Sequence, residues 1–157
     1  MNDRPSRDQI LMGTAKLFAQ RSTCDRAHVG AVFSREGRIL VTGYNGAPTG
    51  MPHCIHQHEN VYEGSSHKPI SVRLTDPADI AVCQAVHAEQ NAIAWAARKG
   101  VRLEGCEVHV TLATCIVCAR SVINAGVERV VYDLRYRAMD GIDLLEAAGI
   151  QVDHYGS

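Results

Sequence analysis

From Cys106 to the C-terminus the chain alternates short β-branched runs with helical stretches, and each helical stretch ends at a glycine. Val108-His109-Val110-Thr111 reads as a strand and Cys115 to Ala125 as a helix stopped by Gly126. Arg129-Val130-Val131-Tyr132 is the next strand, Ile142 to Ala148 a helix stopped by Gly149, and Ile150-Gln151-Val152-Asp153 a final strand. Strands separated by helices are predicted to lie parallel, because parallel neighbours need a crossover. No other feature narrows the fold as much.

The first half adds a different pattern. Residues 7–21 place Ile10, Leu11, Thr14, Leu17 and Phe18 at helical spacing. Val29 to Phe33 and Ile39 to Tyr44 form an expected antiparallel hairpin around Ser34-Arg35-Glu36-Gly37-Arg38. A helix is expected from about Ala85 to Lys99, closed by Gly100. The predicted order is α-β-β-α-β-α-β-α-β, an α/β/α sandwich of three layers. It is expected to form a single domain over residues 1–157, with an irregular insertion at about 49–83.

Composition sets the outer bounds. At 157 residues and 46% hydrophobic, one continuous core is within reach, and a net charge of −1 does not suit a disordered chain. No apolar run reaches the roughly 18 residues of a membrane-crossing helix. The polar opening Met1-Asn2-Asp3-Arg4-Pro5-Ser6-Arg7-Asp8 does not read as a signal peptide. The balanced charge argues against binding polymeric nucleic acid. The expectation is a soluble, cytoplasmic protein acting on a small molecule.

Six cysteines and eight histidines stand out. Three disulfides are one reading, and metal or thiol chemistry in a reducing compartment is the favoured one. Two clusters carry it, His87-Ala88-Glu89 and Cys115-Ile116-Val117-Cys118, each at an expected helix start. A Cys-x-x-Cys at a helix N-terminus brings both sulfurs to one side, where the helix dipole favours thiolates. With His87 they offer zinc three ligands and leave the fourth tetrahedral position for water, the arrangement of a catalytic site. Water held there loses a proton near neutral pH. Glu89, two residues from His87, is placed to shuttle protons rather than to ligate. A redox pair and an inert helix are the plainer readings of each motif taken alone.

His-x-Glu followed by Cys-x-x-Cys resembles the signature of the zinc-dependent nucleobase deaminases, in which a nonligand Glu is the acid/base. His87-Ala88-Glu89-Gln90-Asn91-Ala92-Ile93 resembles the deoxycytidylate branch of the cytidine and deoxycytidylate deaminases. So do Arg21-Ser22-Thr23-Cys24-Asp25-Arg26 and Gly43-Tyr44-Asn45-Gly46-Ala47-Pro48, and the likeness spans residues 7 to 132. One departure is Thr114, where the family has proline before the first zinc cysteine; a threonine N-cap is expected to start the helix as well. The segment from His53 to Cys83 is longer and richer in histidine than the family leads one to expect.

The resemblance implies a mixed five-stranded sheet with flanking helices. The implied reaction converts dCMP to dUMP and ammonia and supplies thymidylate synthesis. Asn45 would hold the sugar hydroxyl, the Ala88 amide the base carbonyl, and Arg26, then Arg21, the 5′-phosphate. Tyr44 suits base stacking or the core, and Trp95 is assigned to the core. A second, structural zinc is expected at Cys24, Cys54 and Cys83 with His56, ahead of His58, as fourth ligand. The resemblance further implies a homo-oligomer, hexameric in many members, with dCTP and dTTP as effectors. Three alternatives stay open: deamination of a 5-modified dCMP, a free nucleoside or guanine; a non-catalytic zinc module; and editing of single strands, which the charge balance disfavours.

Overall fold

The computed structural model describes residues 4–24, 27–51, 53, 85–136 and 138–156. Nine elements follow in the expected order: α1 (Arg7–Ala19), β1 (Gly30–Arg35), β2 (Arg38–Tyr44), α2 (Ala88–Lys99), β3 (Glu107–Leu112), α3 (Ile116–Asn124), β4 (Arg129–Leu134), α4 (Asp140–Ala147) and β5 (Gln151–His154). The irregular segment of the sequence reading lies almost wholly outside the described residues.

The strands form one sheet in the order β2-β1-β3-β4-β5. β1 runs antiparallel to both neighbours, whereas β3, β4 and β5 are parallel. The sheet is thus mixed, and its parallel half is the part joined by helices. The hairpin turn is tighter than the five residues expected: only Glu36 and Gly37 stand between paired Arg35 and Arg38, both at positive φ (54° and 76°). A two-residue turn of that hand matches the twist of the flanking strands.

Pleating divides the core. Val32, His109 and Val131 are in register and face α1, where Leu11, Met12 and Ala15 bury. The intervening residues, Ala31, Phe33, Val108, Val110, Val130 and Tyr132, face the other way into the larger core with α2, α3 and α4. The layers are therefore one helix, five strands and three helices.

Three expectations need correction. The buried face of α1 is Leu11, Met12, Ala15 and Ala19, while Ile10 and Leu17 point outward. Leu11 and Met12 begin the inner face and the small Ala15 and Ala19 complete it close to the sheet, so of the large residues at helical spacing Leu11 lies inward while Ile10 and Leu17 do not. Trp95 is not core: it is 48% exposed, with Lys99 Nζ 4.9 Å and Arg98 Cζ 5.7 Å from its ring centre. α2 buries Ala88, Glu89, Ala92 and Ala96 instead, again a small-residue face. Finally, α2 begins at Ala88 rather than Ala85, because Val86 is held in extended backbone by a two-way bridge to Gly46. Among the described residues, no helix is long and apolar enough to cross a membrane.

Candidate active site

Two helix starts meet at the edge of the larger core. His87 is the N-cap of α2 in extended backbone (φ −72°, ψ 158°), and its own N–H is satisfied by the Gln90 side chain at 3.2 Å. Cys115 is the N-cap of α3 with almost the same conformation (φ −73°, ψ 165°). Thr114, expected as a capping residue, is therefore one position too early. Each residue thus stands at a helix start, where unpaired N–H groups and the dipole favour negative charge.

The result is one donor cluster. His87 Nδ1 lies 3.4 Å from Cys115 Sγ and 3.3 Å from Cys118 Sγ. Bond lengths of about 2.0–2.1 Å to nitrogen and 2.3 Å to sulfur would set the donors roughly 3.6 Å apart across a tetrahedral ion. The three residues therefore fit zinc in kind and spacing. Exposure falls from His87 through Cys115 to fully buried Cys118, so the cluster opens on the histidine side.

The electrostatics of the bare cluster show the same need for a cation. The Cys115 thiol is pushed down to about 4, first by hydrogen bonding from Cys118 and then by His87, against the effect of burial. Cys118 moves upward because it sits beside that thiolate and is itself buried. His87 is raised by its bond to Cys115. Two sulfurs so close hold one negative charge between them; a divalent cation removes the conflict.

Glu89, on the first turn of α2, is only 4% exposed. Burial raises its pKa above the ordinary carboxylate range, with the Cys115 charge adding to the shift and the Thr114 hydroxyl opposing it. A carboxyl held this way exchanges protons near neutral pH more readily than a surface glutamate. Ala88, fully buried, supplies the first backbone N–H of α2 beside it.

Asn45 follows β2 and adjoins the cluster through the Gly46–Val86 bridge. Its amide is already engaged: Oδ1 accepts from Ser22 Oγ (2.7 Å) and the Val29 N–H (2.8 Å), while Nδ2 donates to the Ala27 carbonyl (2.7 Å). Among the described residues one Nδ2 hydrogen stays open to a ligand. Tyr44 is half-buried just before it, and Arg21 is exposed after α1. Arg26 lies outside the described residues. So do Cys54, His56 and Cys83 of the expected second zinc; Cys24 is described and is 1% exposed. No disulfide joins Cys24, Cys106, Cys115 and Cys118.

Sequence reasoning missed a second polar cluster on the α1 side. Arg129 donates to Asp8 (2.8 and 2.9 Å), Glu107 (3.0 Å) and Asp153 (2.7 Å), and buried His109 Nε2 meets Asp8 at 2.9 Å. Asp8, Glu107 and His109 could by spacing hold a cation. A guanidinium already occupies their shared space, so the cluster is an ion-pair network. Its members are scattered from 8 to 153, and no local motif announces them.

A mixed sheet that carries a His-Cys-Cys donor set and a buried nonligand Glu on two helix starts defines a zinc-dependent deaminase architecture. Residues 5–134 match the cytidine and deoxycytidylate deaminase zinc-binding region. The chain is 35% identical over 152 residues to ComE operon protein 2 of Bacillus subtilis, covering 96% of this chain and 72% of that protein. It is 36% identical over 133 residues to the deoxycytidylate deaminase of Mycobacterium phage D29, covering 82% and 95%. The dCMP deaminase of cyanophage S-TIM5, solved with dCMP and dUMP, superposes with a TM-score of 0.77 at 34% identity, covering 96% and 98%. The chain belongs to the cytidine and deoxycytidylate deaminase family.

Proposed function

We propose that this chain deaminates dCMP hydrolytically: water and dCMP give dUMP and ammonia, with oxygen replacing the amine at C4. The observation that carries the reading is the His87, Cys115 and Cys118 cluster beside buried Glu89, in a chain similar to named deoxycytidylate deaminases along nearly its whole length. Zinc, held by His87 Nδ1 and the two thiolates, supplies the Lewis acidity that makes water nucleophilic near neutral pH. Glu89 does the proton work. Its carboxylate takes one proton from the attacking water and delivers it to N3, then takes the second from the new C4 hydroxyl and delivers it to the departing amine, so that C4=O forms as ammonia leaves. The Ala88 N–H donates to the base carbonyl, and the open Nδ2 hydrogen of Asn45 serves the sugar hydroxyl. Tyr44 flanks the base, and Arg26 with Arg21 holds the 5′-phosphate through charge-assisted bonds.

The wider reading follows the same family. The chain acts on a small nucleotide in the cytoplasm as a homo-oligomer, up to a hexamer, with dCTP and dTTP as effectors. It is one domain with an insertion at 49–83, which a second zinc on Cys24, Cys54, Cys83 and His56 clips. Ammonia release from dCMP, deoxycytidine, 5-methyl-dCMP and dCTP tests the substrate. The expected result is a kcat/KM for dCMP at least about a hundredfold above deoxycytidine, since phosphate adds charge-assisted contacts of roughly 1.5–3 kcal/mol each. Equal values for the two would remove the nucleotide reading.

A further inference from the structure

Ser22 and Thr23 follow α1, and both close on the turn that carries Asn45. The Thr23 N–H donates to the Asn45 carbonyl at 3.3 Å, and its Oγ1 accepts from the Ala47 N–H at 3.3 Å. A Cβ on Gly46 would fall 2.1 Å from that Oγ1, so the two segments touch with no room between them. On its other side Gly46 is bonded in both directions to Val86, the neighbour of His87. The Asn45 turn is therefore tied to the metal cluster before any ligand arrives.

Hydrogen-bond chemistry fixes which way the buried Asn45 amide points. The Val29 N–H can only donate, so the atom 2.8 Å from it is oxygen; the Ala27 carbonyl can only accept, so the atom 2.7 Å from it is nitrogen. Ser22 Oγ accepts from the Cys24 N–H at 3.2 Å and turns its own hydrogen to Asn45, where Oδ1 at 2.7 Å is nearer than the carbonyl at 2.9 Å. Val29 and Ser22 together fill both lone pairs of Oδ1. Asn45 then meets a ligand as a donor only, through its remaining Nδ2 hydrogen.

We propose that Ser22 is a positioning residue that makes the nucleotide's 3′-hydroxyl bind as an acceptor: its hydroxyl fills the second lone pair of Asn45 Oδ1 and holds the open N–H on the sugar. The inference rests on the deaminase reading, because dCMP has no other free sugar hydroxyl. Ala27 and Val29 hold the amide from one segment, and Ser22 holds it from the other. Without Ser22 the amide is clamped from one side and offers an acceptor as well as a donor. The chemistry at C4 does not use this contact, so the effect falls on KM and on selection for the 3′-hydroxyl.

The test compares dCMP with 2′,3′-dideoxycytidine monophosphate, which lacks that hydroxyl, on the zinc-loaded protein. Wild type is expected to prefer dCMP by about tenfold or more in kcat/KM. Ser22→Ala should raise KM for dCMP roughly three- to tenfold with kcat within about twofold, and leave KM for the dideoxy nucleotide nearly unchanged. In an Asn45→Ala background the same substitution should not reduce the preference further. A Ser22→Ala variant that weakens both nucleotides equally overturns the proposal, as does a wild type without preference. A nuclear magnetic resonance readout needs no turnover. The Asn45 side-chain NH2 pair, identified by its absence from Asn45→Ala, should shift in Ser22→Ala, and an unmoved pair overturns the proposal. Wild-type protein that leaves dCMP untouched, with the pair still moved by Ser22→Ala, overturns the substrate reading and leaves the positioning contact standing.

Discussion

Cys115 and Cys118 have identical side chains three residues apart, yet their thiols behave oppositely. Cys115 takes the negative charge because Cys118, His87 and the α3 N-terminus all stabilise it there. Cys118, buried beside that charge, keeps its proton. With the metal removed, Cys115 is therefore a thiolate at any pH well above 4 and is half-buried rather than sealed. Iodoacetamide at pH 7 should label Cys115 of the chelator-treated protein well ahead of Cys118 and leave both untouched in the zinc-loaded protein. Mass spectrometry of the alkylated peptide reads the order, and preferential labelling of Cys118 would contradict the assignment. The same local view explains Asn45. Its short amide closes three bonds that hold the turns before β1 and after β2 together, so its structural task and any ligand contact share one side chain.

At the scale of elements, the site depends on how closely β2 approaches α2. Gly43 faces the first turn of that helix, where a Cβ would come within 2.2 Å of the Ala88 carbonyl and 2.8 Å of the Ala92 nitrogen. Backbone cannot yield as a side chain does. Gly43→Ala should therefore cost about 1–3 kcal/mol, the usual range for overpacking, and lower the urea midpoint accordingly. It should also weaken zinc retention, because the displaced turn carries His87. An unchanged midpoint would mean that the sheet and helix are less tightly coupled than their spacing implies. The elements themselves were readable from the sequence where a period and a stop coincide, as in β3 to β5 with their glycine-ended helices. The metal cluster was readable because its three donors, His87, Cys115 and Cys118, fall in two short motifs at helix starts. The reading of Trp95 as core failed because α2 buries Ala88, Ala92 and Ala96 against the sheet and turns Trp95 outward, much as α1 buries Leu11, Met12, Ala15 and Ala19 and turns Leu17 outward. On α2, which packs this closely on β2 at Gly43, small residues rather than the largest one mark the inner face. The Gly46–Val86 bridge, which delays α2 by three residues, is a long-range pairing with no local signal.

Across the whole molecule, the two faces of the sheet divide the work. The face covered by α2, α3 and α4 carries the metal cluster, and the α1 face carries the network that ties α1, β3, β4 and β5 through Arg129. Asp8 is the joint: the Arg129 guanidinium and His109 hold its carboxyl well below the usual carboxylate range. A carboxyl depressed on folding stabilises the fold fully above its unfolded pKa of about 3.9 and loses that contribution as pH falls toward the folded value. Asp8→Asn should lower Tm at pH 7, with a cost of about 1–3 kcal/mol for leaving charged partners less well satisfied. The gap from wild type should narrow as pH drops below about 4. A gap that widens with acid would place the network's stability elsewhere.

The central claim is that a buried carboxyl beside a His-Cys-Cys zinc site carries the protons of dCMP deamination, and Glu89→Gln isolates that carboxyl. The substitution preserves shape and removes an ionisable group that burial already disfavours, so Tm should hold or rise. The direct measurement is kcat for dCMP together with zinc per chain in this one variant. The account predicts unchanged zinc and a kcat lowered by at least about a hundredfold, the scale of general acid–base work. Unchanged zinc with near-wild-type kcat would contradict it.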